Sequence, residues 1–346
     1  MTDRKWKVVV TDREYADLYY EEQVLQHEQI EFVSAQCRTE QDVIDACRDA
    51  HGIINQYAPI NARVIAQLDQ CRVITRYGVG VDTIDVEAAT SKGICVANVP
   101  DYCKDEVADH ALALLLSWTR KITQANRDVK SGLWDYKAVM PIYRLRDRVL
   151  GLVGFGMIAQ SLAAKVKPLG LQVIAYDPYA AVAAAAEAGV ELVSLKTLCQ
   201  RADFISIHTP LTPSTRGMLG KEQFGYMKKD AVVINTSRGP VVDESALMEA
   251  LSERRVAGAA LDVMEKEPIA PNHPFMMMDN VILTPHVAWY SEEAAAEMRF
   301  KAAMGVADVL LHGEYPKYLF NQEVKNKANL KTNLPEQRYM ILASKM

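Results

Sequence analysis

The order of apolar and polar positions along the chain predicts two runs of alternating β-strands and α-helices. In residues 1–100, strands are expected at Lys7–Thr11, Glu31–Ser34, Gly52–Asn55 and Arg72–Thr75, with helices near Glu21–His27, at Gln41–Ala50 and at Ala62–Leu68. Residues 148–288 repeat this rhythm, with strands at Val149–Val153, Gln172–Tyr176, Phe204–His208, Val232–Asn235, Gly258–Asp262 and Val281–Leu283. A long amphipathic helix is expected at Glu292–Leu311. Such alternation indicates two α/β units, each with a parallel sheet and crossover helices.

One further helix, expected at Glu106–Thr119, is apolar over most of its circumference. A helix of this kind is buried nearly all round, so it is expected to lie at an interdomain or subunit contact. It is too short to cross a bilayer. His110 lies in this helix and is expected to be a hydrogen-bonded core residue rather than a catalyst.

The composition narrows the functional classes. Hydrophobic residues make up 49% of the 346 residues and charged residues 24%, which favours about two folded domains over disorder. The net charge of −5, without a long basic run, argues against a nucleic-acid partner. No segment has the pattern of a signal peptide or a membrane span. Six cysteines without a CxxC pair argue against a metal site or disulfide framework and indicate a reducing, cytoplasmic compartment.

The stretch Val149–Gln160 carries the most specific motif, a strand followed by Gly154-x-Gly156-x-x-Ala159. The first glycine permits a tight turn, and the second lets the backbone approach a pyrophosphate. The N–H groups at the start of the next helix would face the phosphates. Asp177 follows at the end of the next strand, where a carboxylate can accept the ribose hydroxyls and repel a 2′-phosphate. The segment therefore predicts a site for a dinucleotide, with NAD preferred.

Three chemically active residues follow late strands of the same predicted sheet. Arg238, Glu267 and His286 come after the strands that start at Val232, Gly258 and Val281. Taken singly, Arg238 could be a surface arginine, Glu267 a solvated acid and His286 a capping histidine. Together they suit carbonyl reduction. The guanidinium can grip a carboxylate at two points, and the histidine can deliver a proton. A neighbouring carboxylate would favour the charged imidazolium and orient it.

These motifs, in this order, resemble the D-isomer-specific 2-hydroxyacid dehydrogenases over almost the whole chain. The resemblance rests on the Gly78–Asp82 turn, Asn98-Val-Pro100, the Gly154 loop, Thr236-Ser-Arg238-Gly, Glu267-Pro and Thr284-Pro-His286. It implies that Arg238, Glu267 and His286 are catalytic. It also implies a flavodoxin-like substrate-binding domain (1–100 with 293–330), a Rossmann NAD-binding domain (101–292), a cleft between them and a C-terminal tail (331–346). The expected substrate is a small 2-oxoacid or 2-hydroxyacid, and the expected assembly is a homodimer formed largely through the NAD domain.

The predicted ligand contacts follow from these positions. The expected cofactor residues are Gly154, Gly156, Met157, Ile158, Asp177, His208, Thr209, Pro210, Thr215, Thr236, Ser237, Asp262, His286 and Trp289. The expected substrate residues are Arg76, Tyr77, Gly78, Val79, Gly80, Arg238 and Trp289. The two glycines of the Arg76–Gly80 turn fit a plain turn and an anion-binding loop equally well. Trp289 is expected to be a pocket wall, with a packing role as the alternative.

A second hypothesis concerns a branch of the same family. Trp289 after the histidine, Glu297-Met-Arg299 and Arg76 resemble the C-terminal-binding-protein (CtBP) transcriptional corepressors. In that reading the chain is an NAD(H)-sensing protein-binding module, and catalysis is incidental. The intact Arg238, Glu267 and His286 favour the enzyme. A formate dehydrogenase ranks low, because that group has glutamine where Glu267 stands.

Overall fold

The computed structural model describes residues 5–332 and 338–339. It divides into two compact units, Met1–Tyr102 with Ser291–Met346, and Cys103–Tyr290. The predicted domain boundaries, after residue 100 and after residue 292, lie close to the boundaries of these two units. Most of the predicted tail, 331–346, lies outside the described residues.

The N-terminal part of the first unit forms a five-stranded parallel sheet in the order β2-β1-β3-β4-β5. The strands are β1 (Trp6–Val10), β2 (Ile30–Ser34), β3 (Gly52–Asn55), β4 (Val73–Arg76) and β5 (Cys95–Ala97). The helices are α1 (Tyr19–Leu25), α2 (Glu40–Cys47), α3 (Ala62–Ala66) and α4 (Val86–Ser91). This order is that of flavodoxin-like sheets. Helix α4 and strand β5 were not predicted from the sequence, and the predicted α2 and α3 extend past their observed ends.

The second unit contains a seven-stranded parallel sheet in the order β12-β11-β10-β9-β6-β7-β8. The strands are β6 (Val149–Val153), β7 (Gln172–Tyr176), β8 (Glu191–Leu192), β9 (Phe204–Ile207), β10 (Val232–Asn235), β11 (Gly258–Leu261) and β12 (Val281–Leu283). The helices are α5 (Lys104–Arg120), α6 (Ile122–Lys130), α7 (Met157–Val166), α8 (Val182–Glu187), α9 (Leu195–Arg201), α10 (Lys221–Tyr226) and α11 (Glu244–Ser252). The chain order reverses between β6 and β9, so a ligand is expected there, at the carboxyl ends of the strands. The predicted class of two doubly wound parallel sheets is confirmed.

Within this chain, helix α5 is buried mainly on one face, and the expected contact of its other face with another domain or subunit stays a prediction. Its buried residues are Val107, Ala108, Ala111, Leu114 and Leu115. They pack with the apolar side chains of α7 and the sheet, whereas Leu112 and Leu116 are half-buried and Ala113 is exposed. A side chain at Gly258 would overlap the ring of Trp118, because its Cβ would lie 1.8 Å from that ring. The helix therefore packs tightly against the sheet and leaves its other face uncovered by its own unit.

The chain returns to the first unit in α12 (Glu292–Leu310), which is buried along most of its length. It packs closely on β3 and β4. A Cβ at Gly305 would lie 2.9 Å from Thr75 Cγ2, and one at Gly52 would lie 2.8 Å from Val306 Cγ1. Of the helices in the described part of the chain, none combines the length and the apolar character that crossing a membrane requires.

Candidate active site

The glycine-rich loop has the geometry that its sequence predicts. Gly154 has a φ of +94°, and a Cβ there would lie 2.9 Å from the carbonyl carbon of His208. Gly156 is the N-cap of α7, provides no side-chain acceptor, and faces open space within 4 Å of an added Cβ. The first turn of α7, which contains Met157 and Ile158, thus presents its N–H groups beside an open volume. This arrangement fits a pyrophosphate.

Asp177 lies directly beyond the end of β7, next to this loop. Its Oδ2 accepts the N–H of Phe155 at 2.8 Å, and its Oδ1 accepts the N–H of Tyr179 at 2.8 Å. The carboxylate is half-buried. Because a carboxylate has about four acceptor positions, Asp177 retains capacity for ribose hydroxyls while its orientation is fixed by the glycine loop.

The loop after β9 carries four predicted cofactor residues. Burial lowers the pKa of His208 to about 4, so its imidazole is neutral near neutral pH, and its Nε2 lies 2.8 Å from Ser206 Oγ. Thr215 is buried, and its hydroxyl donates to the carbonyl of Pro210 at 2.6 Å. Thr215 therefore shapes the loop, and Thr209 directly precedes the segment 210–215 that it closes. The neutral imidazole of His208 therefore adds no positive charge that would favour an extra phosphate.

A buried hydroxyl without a partner lies at the end of β10. Thr236 Oγ1 is buried and has no hydrogen-bond partner within the described residues. Buried polar atoms are normally satisfied, so such an atom indicates a missing ligand or water. Together with the open space at Gly156 and the placement of Asp177, it shows that the carboxyl edge of this sheet fits a dinucleotide.

The turn that carries Arg238 is held from inside the sheet by Asn235. The Nδ2 of Asn235 donates to the carbonyl of Arg238 at 2.9 Å, and its Oδ1 accepts the N–H of Ser237 at 3.0 Å. Gly239 brings this turn against the segment after β11, because a Cβ at Gly239 would lie 1.9 Å from the carbonyl carbon of Met264. Sequence reasoning missed the structural roles of Asn235 and Gly239, although Gly239 belongs to the recognised motif and Asn235 directly precedes it.

Glu267 and His286 form a close pair in this unit. His286 Nδ1 lies 2.6 Å from Glu267 Oε2, and Glu267 Oε1 accepts the N–H of Met264 at 2.9 Å. Burial by itself raises the pKa of Glu267. The hydrogen bond and charge of His286, the N–H of Met264 and the charge of Arg238 outweigh that effect, so the pKa lies below its usual value. The carboxylate is therefore ionised at neutral pH and interacts electrostatically with both His286 and Arg238.

Asp262 holds the loop that carries His286. Its Oδ1 accepts Thr284 Oγ1 at 2.5 Å, and its two carboxylate oxygens accept the N–H groups of Val287 and Ala288. His286 has a φ of +54°, and its N–H donates to the carbonyl of Asp262 at 2.8 Å. His110 Nε2 lies 3.0 Å from Thr284 Oγ1, in line with the expected core role. Asp262 was predicted to contact the cofactor, and its side chain forms its described hydrogen bonds with this loop.

Trp289 directly follows this anchored segment, whose last held residue is Ala288. Its half-buried ring packs edge-on against Tyr290, with ring centroids 5.3 Å apart. This geometry is compatible with both of the roles expected for Trp289.

The predicted substrate turn in the first unit follows β4. Gly78 has a φ of +124°, and a Cβ there would lie 2.0 Å from Arg76 Nη1. The described hydrogen bonds of Gly78 and Val79 use their carbonyl oxygens, which accept from Val99 N and Asn98 Nδ2. Their N–H groups are the donors that remain for an anion. The side chain of Tyr77 is buried and donates to Glu21, so at this position only the backbone of Tyr77 can face a ligand.

Comparison with known proteins supports this interpretation of the chain. A family model for the NAD-binding domain of D-isomer specific 2-hydroxyacid dehydrogenases matches residues 112–288. A glyoxylate reductase from Korarchaeum cryptofilum is 40% identical over 82% of this chain and 86% of its own length. A D-3-phosphoglycerate dehydrogenase from Methanocaldococcus jannaschii is also 40% identical, over 88% of this chain, but the match spans only 57% of that longer protein.

The solved structures agree with these relatives. The holo form of D-mandelate dehydrogenase from Rhodotorula graminis superposes with a TM-score of 0.82, at 27% identity, over 92% of this chain and 98% of that one. These comparisons give no support to the CtBP branch. The glycine loop, Asp177 and the unpartnered Thr236 hydroxyl lie within the matched domain. The chain belongs to the D-isomer specific 2-hydroxyacid dehydrogenase family, and residues 112–288 match its NAD-binding domain.

Proposed function

We propose that this protein is an NADH-dependent reductase of small 2-oxoacids, forming D-2-hydroxyacids. The observation that carries the proposal is the 2.6 Å contact between His286 and Glu267, in a site where the charge of Arg238 also lowers the pKa of that glutamate. A carboxylate-binding cation, a proton donor and a carboxylate that orients the donor are the groups that reduction of a 2-oxoacid needs.

Each residue has a distinct task in this proposal. Arg238 grips the substrate carboxylate and polarises the adjacent carbonyl. His286 gives a proton to the carbonyl oxygen, and Glu267 keeps the imidazole oriented and favours its charged form. Bound nicotinamide supplies the hydride, which no side chain can provide. One proton and one hydride thus convert the oxoacid to the hydroxyacid.

The first unit is proposed to contribute the Arg76–Gly80 turn to substrate binding. Its backbone N–H groups at Gly78 and Val79 suit a carboxylate, and the buried Arg76 adds a positive charge beside them. In this assignment the first unit is the substrate-binding domain and the second unit the NAD-binding domain.

The substrate class is a small 2-oxoacid. The relative named glyoxylate reductase supports this class best, because the match spans 86% of its length. Trp289 is proposed as a wall beside the substrate tail, so apolar tails are preferred over phosphorylated ones. Phosphoglycerate is the second candidate, favoured by the 40% identity to the dehydrogenase from Methanocaldococcus jannaschii.

The test is a panel of 2-oxoacids assayed with NADH and with NADPH. Glyoxylate, pyruvate, an oxoacid with an apolar tail and phosphohydroxypyruvate cover the relevant chemistry. Turnover of one of the first three with NADH is the expected result. The phosphorylated substrate as the best of the four would favour the second candidate, and no turnover of any would rule out both.

The proposed assembly is a homodimer formed through the second unit. Helix α6 has no buried residue, and the segment from Ile122 to Tyr143 exposes seven large hydrophobic side chains. They are Ile122, Val129, Leu133, Trp134, Tyr136, Met140 and Tyr143. Apolar patches of this kind mark protein contacts. Light scattering is expected to give a dimer, and Trp134→Glu is expected to weaken it. A monomeric wild type at micromolar concentration would end this proposal. The cytoplasmic location remains a prediction.

A further inference from the structure

The first unit contains a buried ionic network that the proposed chemistry does not use. Arg299 on α12 bonds Glu21 on α1 through two atoms, with Nε 2.9 Å from Oε1 and Nη2 2.8 Å from Oε2. The hydroxyl of Tyr77 donates to the same Oε1 at 2.7 Å. Glu21 is fully buried, and Arg299 is 6% exposed. Glu21 and Arg299 are thus 278 positions apart in the chain. The Glu21 carboxylate bonds both Arg299 and Tyr77 of the substrate turn.

A buried ion pair is weak evidence of stabilisation, because desolvating two charges offsets their attraction. An apolar contact between α1 and α12 would hold the helices together equally well. Arg299 is held further by Asp17, whose Oδ1 lies 3.0 Å from Nη2, and its guanidinium lies 4.8 Å from the ring centre of Tyr15. The guanidinium is therefore fixed on several sides, and it in turn fixes the Glu21 carboxylate.

The network ends at the turn that is proposed to bind the substrate carboxylate. Tyr77 directly precedes Gly78, and it is held at two points. Its N–H donates to the carbonyl of Asn55 at 2.9 Å, and its hydroxyl is held by Glu21. Burial, helped by Glu21, raises the pKa of Tyr77, so the hydroxyl remains a donor. These two anchors hold the residue that directly precedes the N–H groups of Gly78 and Val79.

We propose that Glu21 and Arg299 are positioning residues, which act through the Tyr77 hydroxyl to aim the Gly78–Val79 N–H groups at the substrate carboxylate. This inference rests on the proposed function. These N–H groups bind the carboxylate alike in the ground state and in the transition state. Loss of their alignment therefore raises KM and leaves kcat nearly unchanged.

The first test is Tyr77→Phe in the full chain, with Tyr339→Phe as a matched control. Tyr339 also donates its hydroxyl to a buried carboxylate of the first unit, Asp308, at 2.6 Å. Tyr77→Phe is expected to raise the KM for glyoxylate roughly tenfold, as small misalignments of a binding group do, with unchanged kcat and NADH affinity. Tyr339→Phe is expected to lower Tm without changing KM. An unchanged KM in Tyr77→Phe, or equal KM changes in both variants, would overturn the proposal.

The second test is a double-mutant comparison. Glu21→Gln and Tyr77→Phe act on one chain of contacts, so the double variant is expected to have the KM of the more affected single variant. Independent, multiplying effects on KM would overturn the proposal. If Glu21→Gln does not fold, Arg299→Lys replaces it.

Arg238→Ala distinguishes failure of this inference from failure of the proposed function. If that variant loses turnover while Tyr77→Phe has a normal KM, only this inference fails. Full turnover in Arg238→Ala, or no reduction of any 2-oxoacid by the wild type, removes the proposed function and this inference together.

Discussion

The Nδ1 atom of His286 lies 2.6 Å from Oε2 of Glu267, and the second oxygen of that carboxylate is held by the N–H of Met264. Because Nδ1 faces the glutamate, Nε2 is the ring nitrogen left for a substrate. The His286 backbone is fixed at a φ of +54° by Asp262 and Thr284, whose carbonyls accept its N–H. The imidazole is therefore oriented both by its ring contact and by its backbone.

The first prediction concerns pH. The lowered pKa of Glu267 keeps the carboxylate ionised above that pKa, and the pairing with His286 is lost only as pH falls through it. Reduction is therefore expected to fall on the acid side, where the Glu267 carboxylate is protonated and the pairing is lost. Glu267→Gln has no group that titrates there, so this acid-side fall in kcat for glyoxylate reduction should disappear. A pH–rate profile identical to that of the wild type would break the proposed pairing.

The second prediction concerns Arg238. Arg238→Ala is expected to lower kcat/KM for glyoxylate by roughly 10²-fold or more, because it removes the group that polarises the carbonyl. NADH affinity, measured by fluorescence titration, should remain near the wild-type value. Arg238→Lys is the matched control. It keeps the charge, loses the two-point grip and should recover only part of the activity. Near-normal activity in the alanine variant would remove Arg238 from the site.

The third prediction concerns cofactor preference. Asp177→Asn removes the charge and keeps an oxygen that can accept the N–H of Phe155, so the glycine loop should remain in place. The ratio of NADPH to NADH efficiency is expected to rise roughly ten- to a hundredfold, since like-charge contacts cost on the order of a few kcal/mol. Steady-state kinetics with both cofactors measures it. If the wild type uses NADPH as efficiently as NADH, the proposed role of Asp177 is refuted.

The fourth prediction concerns the packing of the Arg238 turn. A Cβ at Gly239 would lie 1.9 Å from the Met264 backbone, so Gly239→Ala must displace the turn or the segment that leads to Glu267. Unfolding free energy is expected to fall by about 3 kcal/mol, the upper end for overpacking, and kcat should fall with it. Gly225→Ala, in α10 with no atom within 4 Å of the added Cβ, is the control. Equal denaturation midpoints for the two variants would contradict this account of the turn.

The sequence allowed most of the second sheet to be predicted, because each strand is a short apolar run bounded by polar residues. Four of its strands, including Val149–Val153 and Val232–Asn235, have the predicted limits. The strand β8 was missed because two residues are too short to show a pattern. In the first unit, β5 and α4 were missed because Cys95–Ala97 has only three residues and Val86–Ser91 has little apolar periodicity.

The chemical groups of the site could be read from the sequence, but the contacts that hold them could not. Arg238, Glu267 and His286 follow strand ends, and parallel strands bring their carboxyl ends to one edge. The contact of Gly239 with Met264, and that of Glu21 with Arg299, depend on how distant segments pack. No local pattern encodes such distances. The sequence also could not show which surface contacts the second face of α5, because apolar periodicity indicates only that a helix needs cover.

The measurement that tests the central claim most directly is single-turnover reduction of glyoxylate by the preformed NADH complex, in wild type and in His286→Ala. General acid catalysis typically contributes roughly 10²- to 10⁴-fold. The variant is therefore expected to bind NADH normally and to oxidise it slower by a factor in that range. Normal NADH binding with a wild-type rate of NADH oxidation in His286→Ala would contradict the assignment of His286 as the proton donor, and with it the proposed mechanism.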